Sequence, residues 1–412
     1  MNMAEIYALC LSSVSIYKNI TEDKAIVAFR KMLVASFTNK DEFVKEWSNF
    51  FSALCEKDCE ESFYKYVKNL VLYDENSFTL EATKGKNANI SNTILTTAQK
   101  ELQIIFEIAT LSPTDILEYS KYKEELTNQN IIDFLPMWSV GKNEEIDVET
   151  DKYIDIVTEF NKNNGYGIYA KYRAFIWRNG DICPVKHPDK IKLSEFKEYE
   201  YQRNVVLENT RAFLNNKSAN NCLLYGDKGT GKSSTVKAIL NEHYKDGLRM
   251  VEMPKERLLD FPILVDKIAS IPMKFIIFID DLSFQKQDDR YASLKAVLEG
   301  GLAVRPDNTL IYATSNRRHL VKENFSERNG DELHRNDTIQ ESLSLADRFG
   351  LAVNFSAPNK IGYLNIVSSL AKQKGIKMEE SELHNKAERF ALQKGGRSPR
   401  IAKQFINAMY TE

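Results

Sequence analysis

A single stretch, "LLYGDKGTGKSS" at residues 223–234, constrains this chain more than any other, because an apolar run breaks there into three glycines and two lysines. Gly226, Asp227, Lys228, Gly229, Thr230, Gly231, Lys232 and Ser233 fit G-x-x-x-x-G-K-[ST], with Ser234 directly after. The motif stands where it must, after an apolar strand and at the start of a helix. Glycines let backbone N–H groups turn inward around a phosphate chain, and the following helix presents its positive end. Lys232 is expected to neutralise the β- and γ-phosphates of ATP, and the Ser233 hydroxyl to ligate Mg²⁺.

A site of this kind needs a metal-holding carboxylate on a neighbouring strand. "FIIFIDD" supplies it, with Asp280 placed to hold the Mg²⁺ and Asp281 to polarise an attacking water. The surrounding pattern alternates strand and helix. "NCLLYG", "LRMVEM", "KFIIFID", "NTLIYATS" and "LAVNF" read as strands, separated by helical segments at 232–244, 256–270, 288–299 and one ending "LSLADRFG". Strands joined by crossover helices predict an α/β, doubly wound parallel sheet with its ligand at the carboxyl ends of the strands. After Pro358 the pattern is only helical, in three segments.

The first 164 residues differ in texture, holding two glycines and two prolines. Apolar residues recur there at three- and four-residue steps, which predicts a mostly α-helical domain. "SPTDILEYSKYKEEL" shows a helix start, with Ser112 as cap, Pro113 in the first turn and Asp115 at the capping-box position. Residues 73–92 are polar and read as a loop or short hairpin. From Asn163, glycines and aromatic alternation predict short strands and turns in a small β connector. The expected division is 1–164 helical domain, 165–192 connector, 193–357 P-loop core and 358–412 helical lid.

Residues 1–150 carry 15 basic and 24 acidic side chains, whereas the remainder carries 41 and 34. That is an acidic module beside a basic engine, an arrangement that favours docking of domains or subunits. No apolar run approaches a membrane span, and "MNMAEIYALC" lacks the basic flank of a signal peptide. Five scattered cysteines, with no second Cys/His pair at zinc spacing, read as free thiols in a reducing compartment. The expected address is the cytoplasm.

The order of parts from Leu193 to Met409 resembles the AAA+ ATPases, P-loop machines that form rings or filaments. "FIIFIDD" looks like their Walker B strand, in which Asp281 stands one methylene shorter than the family's usual Glu. "LIYATSN" looks like the sensor 1 strand, which makes Asn316 the residue that orients the water. "LADRFG" is similar to the segment at the subunit edge, and the resemblance makes Arg348 the finger that reaches a neighbour's nucleotide. "GGRSPRIAKQF" resembles sensor 2 and places Arg400 over the γ-phosphate, with Arg397 the runner-up. The stretches "GDKGTGKSSTVKAIL", "FIIFIDDLSF", "LKAVLEGGL" and "IYATSNRRHL" look like a bacterial AAA+ group of unknown function with a helical amino-terminal region. That resemblance covers residues 165–412, and the first 160 in helical character alone.

The resemblance implies an ATP- and Mg²⁺-dependent ATPase acting as a homo-oligomer with nucleotide at subunit interfaces. Three uses of ATP follow as expectations. The first is remodelling or recruitment of a protein client through the helical domain. The second is a slow-turnover switch or scaffold, for which the short Asp281 argues. The third, a nucleic-acid loader, is disfavoured by the absence of a helix-turn-helix signature and a pI near 6.3. An unfoldase is weakened because "EMPKERLLDFPIL" lacks an aromatic–glycine pair. The charged segment 315–338 reads as an insertion at the interface, with Arg317, Arg318 and Arg335 as reserve nucleotide contacts and no metal geometry around His319 and His334.

Overall fold

A computed structural model describes residues 2–85, 88–141, 152–284, 289–299, 306–317, 320 and 347–410. The chain divides into two compact units, Met1–Lys171 and Tyr172–Glu412.

The first unit is helical, with long elements at Lys24–Thr38, Lys40–Cys55, Asn92–Ala109 and Tyr153–Asn164. Polar residues start them: Asp23, Asn39 and Ser91 each accept a hydrogen bond from a backbone N–H of the first turn. Ser112 and Asp115 form the expected reciprocal capping box, with Pro113 opening the helix. The helices close on an aromatic core in which the Phe50 ring lies 4.9 Å from Phe29, 5.2 Å from Phe63 and 4.9 Å from Trp138. Buried Glu101 ties down the turn after the first helix, accepting from the N–H groups of Ser15, Ile16 and Tyr17. The polar stretch 73–92, expected as a loop or hairpin, instead contains the helix Ser77–Ala82. An Asn76–Thr79 capping box starts it, and Phe78 and Ala82 bury one face, so six residues suffice.

The second unit is built on a sheet of seven strands among the described residues: β1 Ala174–Arg178, β2 Asp181–Pro184, β3 Cys222–Gly226, β4 Leu248–Glu252, β5 Lys274–Ile279, β6 Thr309–Ser315 and β7 Leu351–Phe355. Their order is β2-β1-β4-β5-β6-β3-β7. All neighbours are parallel except β1 with β2. The strands expected in a connector thus extend the sheet edge, because β1 pairs on its inner side with β4 and closes a tight turn at Asn179–Gly180 into β2, which takes its outer side. Every residue of β6 and the last five of β5 are buried, as continuous apolar runs in a doubly covered sheet require. The register sets Gly226 beside Phe355, Tyr225 beside Ser315 and Ile279 beside Ala313. Four chain segments, after β5, β6, β3 and β7, therefore leave the sheet side by side at one edge.

Three helices, Lys360–Gln373, Glu380–Gln393 and Pro399–Tyr410, follow β7. They share a small core of Tyr363, Val367, Leu383, Ala387, Phe405 and Ile406. The second unit is thus an α/β, mostly parallel sheet with a glycine loop after β3 and three carboxyl-terminal helices, and the first unit is helical.

Candidate nucleotide site

The glycine loop leaves β3 in a conformation that only glycine takes easily. Gly226 has φ +125°, and a Cβ there would lie 2.4 Å from the Phe355 carbonyl oxygen. Gly231 has φ +95° and caps the helix Lys232–His243. The loop's side chains brace it from within: Thr230 Oγ1 donates to the Asp227 carbonyl at 2.9 Å and Thr235 Oγ1 to Gly231 at 2.9 Å. Asp227 fastens it outward, its carboxylate accepting from the Ala357 N–H at 2.6 Å. Lys232 is buried and its Nζ donates to the carbonyls of Gly226 and Asp227 at 2.8 and 2.7 Å. Burial pushes the Lys232 ammonium pKa down, while Asp227, Asp280 and Asp281 oppose that shift. An anionic ligand would offset this desolvation by pairing the buried charge.

Beside the loop, the ends of β5 and β6 bring four polar side chains into one hydrogen-bonded set. Asp280 Oδ1 accepts from Ser233 Oγ at 2.6 Å and from Thr314 Oγ1 at 2.5 Å. Asp281, at φ +50°, donates its N–H to Thr314 Oγ1 at 3.0 Å. Its Oδ1 accepts from Asn316 Nδ2 at 2.6 Å. Ser233 and Asp280 offer hard oxygen donors at one point, the chemistry that Mg²⁺ takes.

These groups line a cleft of about 840 Å³ together with the segment before β3 and the helical lid. The lid meets the loop directly. The Arg400 N–H donates to the Gly229 carbonyl at 3.2 Å, and a Cβ on Gly229 would press Arg400 Cβ and Ser398 Oγ at 3.0 Å. Lys228, Lys403 and Arg203 add positive charge to the lining. Arg203 is buried with its guanidinium 5.5 Å from the Phe196 ring centre, and burial lowers its pKa against the pull of Glu200 and Glu198.

Of the residues singled out in the sequence, Lys228 to Ser234, Asp280, Asp281, Asn316 and Arg400 line this cleft. Gly226 and Asp227 form the loop's stem against the end of β7. Arg348 does not join them. It precedes the amino end of β7, whereas the glycine loop abuts that strand's carboxyl end, roughly 13 Å further along at about 3.3 Å per residue. Arg397 is held within the lid by a two-point pair with Glu388, at 2.9 and 2.7 Å. Arg317 is exposed after β6, and Arg318, His319, His334 and Arg335 lie outside the described residues. Sequence reading missed Thr314, Phe196 and Arg203. None of the three carried a signal: Thr314 is one of three Ser or Thr residues on its strand, beside Thr309 and Ser315.

No described helix is long and apolar enough to cross a membrane. No curated protein matches the chain. Solved structures similar to part of the chain include the Thermotoga maritima RuvB Holliday junction branch migration motor, at 15% identity and a TM-score of 0.38, covering 53% of this chain and 64% of that one. Two mutants of the same protein, each with a TM-score of 0.38, match at 14% and 15% identity; they cover 53% and 55% of this chain and 64% and 66% of theirs. The chain thus spans about two thirds of the length of the RuvB structures it matches. A family model described as "Protein of unknown function (DUF815)" matches residues 170–412, which include every strand of the sheet, the glycine loop and the lid, and the chain belongs to that family.

Proposed function

We propose that this protein binds ATP with Mg²⁺ at the carboxyl edge of its sheet, hydrolyses it, and couples the cycle to remodelling or recruiting a macromolecular client. The observation that carries the reading is the hydrogen-bonded set Ser233–Asp280–Thr314–Asp281–Asn316 beside a glycine loop that the lid touches through Arg400. In this reading the loop's N–H groups and Lys232 hold the phosphates. Ser233 and Asp280 hold the metal, which when bound neutralises charge on the phosphate oxygens. Asp281, steadied by Asn316, orients the attacking water, and Arg400 senses the γ-phosphate from the lid. Because Arg348 lies at the far end of β7 from its own loop, it serves a neighbouring subunit's nucleotide. Active protein is then a homo-oligomer, with residues 1–164 as client-binding domain, 193–357 as engine and 358–412 as lid. The acidic first 150 residues fit a client or neighbour with a basic face.

A second reading, a slow nucleotide switch, is favoured by one feature. Asp281 is a methylene short of glutamate, and its Oδ1 is already engaged by Asn316. The distinguishing measurement is steady-state turnover per subunit across a wide protein concentration range. A rate that climbs with concentration supports a site completed by a neighbour; low, flat turnover with measurable ATP binding supports the switch. Lys232→Ala should abolish measurable ATP binding and turnover with it, because the phosphates lose their buried cation. Parental binding and turnover in that variant would place the nucleotide elsewhere.

A further inference from the structure

We infer that Thr314 is a positioning residue that couples the metal-holding carboxylate to the water-orienting one, an inference that rests on the nucleotide-site reading above. The hydroxyl has one hydrogen and acceptor lone pairs, and both functions are in use. It donates to Asp280 Oδ1 at 2.5 Å and accepts from the Asp281 N–H at 3.0 Å. Thr314 itself is 2% exposed and lies near the end of β6, paired in register with Leu224 of β3. It is therefore the most deeply buried member of the set.

Two consequences follow from that geometry. Asp280 Oδ1 also accepts from Ser233 Oγ at 2.6 Å and from the Asp281 N–H at 3.2 Å. With three donors on Oδ1, Oδ2 is the oxygen left to face a cation, and the carboxylate plane is set by the sheet. Without Thr314, Asp280 would be oriented chiefly by Ser233, which is itself expected to ligate the metal. Outer partners of this kind set the aim of the groups that touch the ion.

The second consequence concerns Asp281. A non-glycine residue at φ +50° sits in the sparsely populated left-handed region, which requires fixed partners to persist. Thr314 holds the main-chain end of Asp281 while Asn316 holds its carboxylate. A single side chain of β6 thus fixes both carboxylates relative to each other.

The test compares Thr314→Val, which keeps shape and strand preference but removes the hydroxyl, with Thr314→Ser, which restores it. ATP binding by the full-length chain is measured by calorimetry in EDTA and in a MgCl₂ series. In Thr314→Val, affinity in EDTA should match the parent, while the Mg²⁺ concentration needed for half-maximal tightening rises about 10–100-fold. Turnover should fall by a similar factor, and Thr314→Ser should recover the parental Mg²⁺ dependence. A parental Mg²⁺ profile in Thr314→Val, or equal loss of affinity with and without Mg²⁺, would overturn the assignment. Should the valine variant not fold, Thr314→Ala carries the same comparison. If the parent bound no ATP that Lys232→Ala could abolish, the nucleotide-site reading would fail, and this inference with it.

Discussion

The two units of this chain use buried polar groups in opposite ways. In the helical unit, Glu101 is surrounded by the N–H groups of residues 15–17, and Asp74 accepts from the side chains of Asn19 and Asn76. Each such group is turned inward and matched locally, so its effect is to fix turns between helices. In the sheet unit, Lys232, Ser233, Asp280, Asp281 and Asn316 come from three segments and converge on one open edge. Their bonds to each other leave faces directed into a cleft. Polar burial in the first unit specifies packing; in the second it prepares a surface for a charged ligand.

The largest expected effect that would test this contrast is at Arg348. Arg348→Ala should leave ATP binding intact and reduce turnover about 10³–10⁵-fold, the range of an arginine supplied across an interface. Mixing the variant with Lys232→Ala protein should restore part of the rate, since each supplies what the other lacks. Parental turnover by Arg348→Ala would remove the finger assignment and leave Arg317 as the described candidate. A smaller effect is expected in the other unit. Glu101→Ala strips the turn at residues 15–17 of its acceptor and should destabilise the helical unit by about 2–3 kcal/mol. ATP affinity should be unchanged, and a matching loss of affinity would show that the units are not independent in the way their polar networks imply.

The smallest effect is a pH dependence at the joint between sheet and lid. The Tyr199 hydroxyl donates to the Ser356 carbonyl at 2.7 Å, and its ring stacks on Phe355. Burial, then Asp227 and Glu198, push its pKa from 10.0 up to about 12. A folded-state pKa above the unfolded value means that the neutral phenol stabilises the fold fully below pH 10. That stabilisation is lost as the pH rises through about 12. Tyr199→Phe should therefore be less stable than the parent at neutral pH, and the difference should shrink above pH 10. Denaturant midpoints across that range measure it, and a constant difference would detach Tyr199 from the alkaline transition.

Much of the second unit is legible in the sequence. The strands at 222–226, 248–252, 274–279 and 309–315 stand out because interior parallel strands are mostly apolar runs covered on both faces, whereas 351–355, at the sheet edge, alternates buried and exposed residues. The glycine loop was visible because phosphate binding by backbone needs glycine at fixed spacing. Arg400 and Arg397 could not be ranked by geometry in the sequence, being three residues apart on a charged segment. The bidentate pair of Arg397 with Glu388 separates them, and that partner lies nine residues upstream on another helix. Likewise, residues 174–184 read as strands, but nothing local says that β4 is their neighbour.

What the sequence determined by itself is whatever depends on periodicity and on short-range backbone demands: the helical first region, the alternating core, the three-helix lid, the loop with its lysine and the carboxylates after β5. Tertiary structure alone decided which side chains meet. Thr314 touches Asp280 because β5 and β6 are adjacent and in a given register, and a hydroxyl 34 residues away carries no mark of that pairing. Strand adjacency is set by long-range packing of the whole sheet, a property of the closed chain that no window of residues contains.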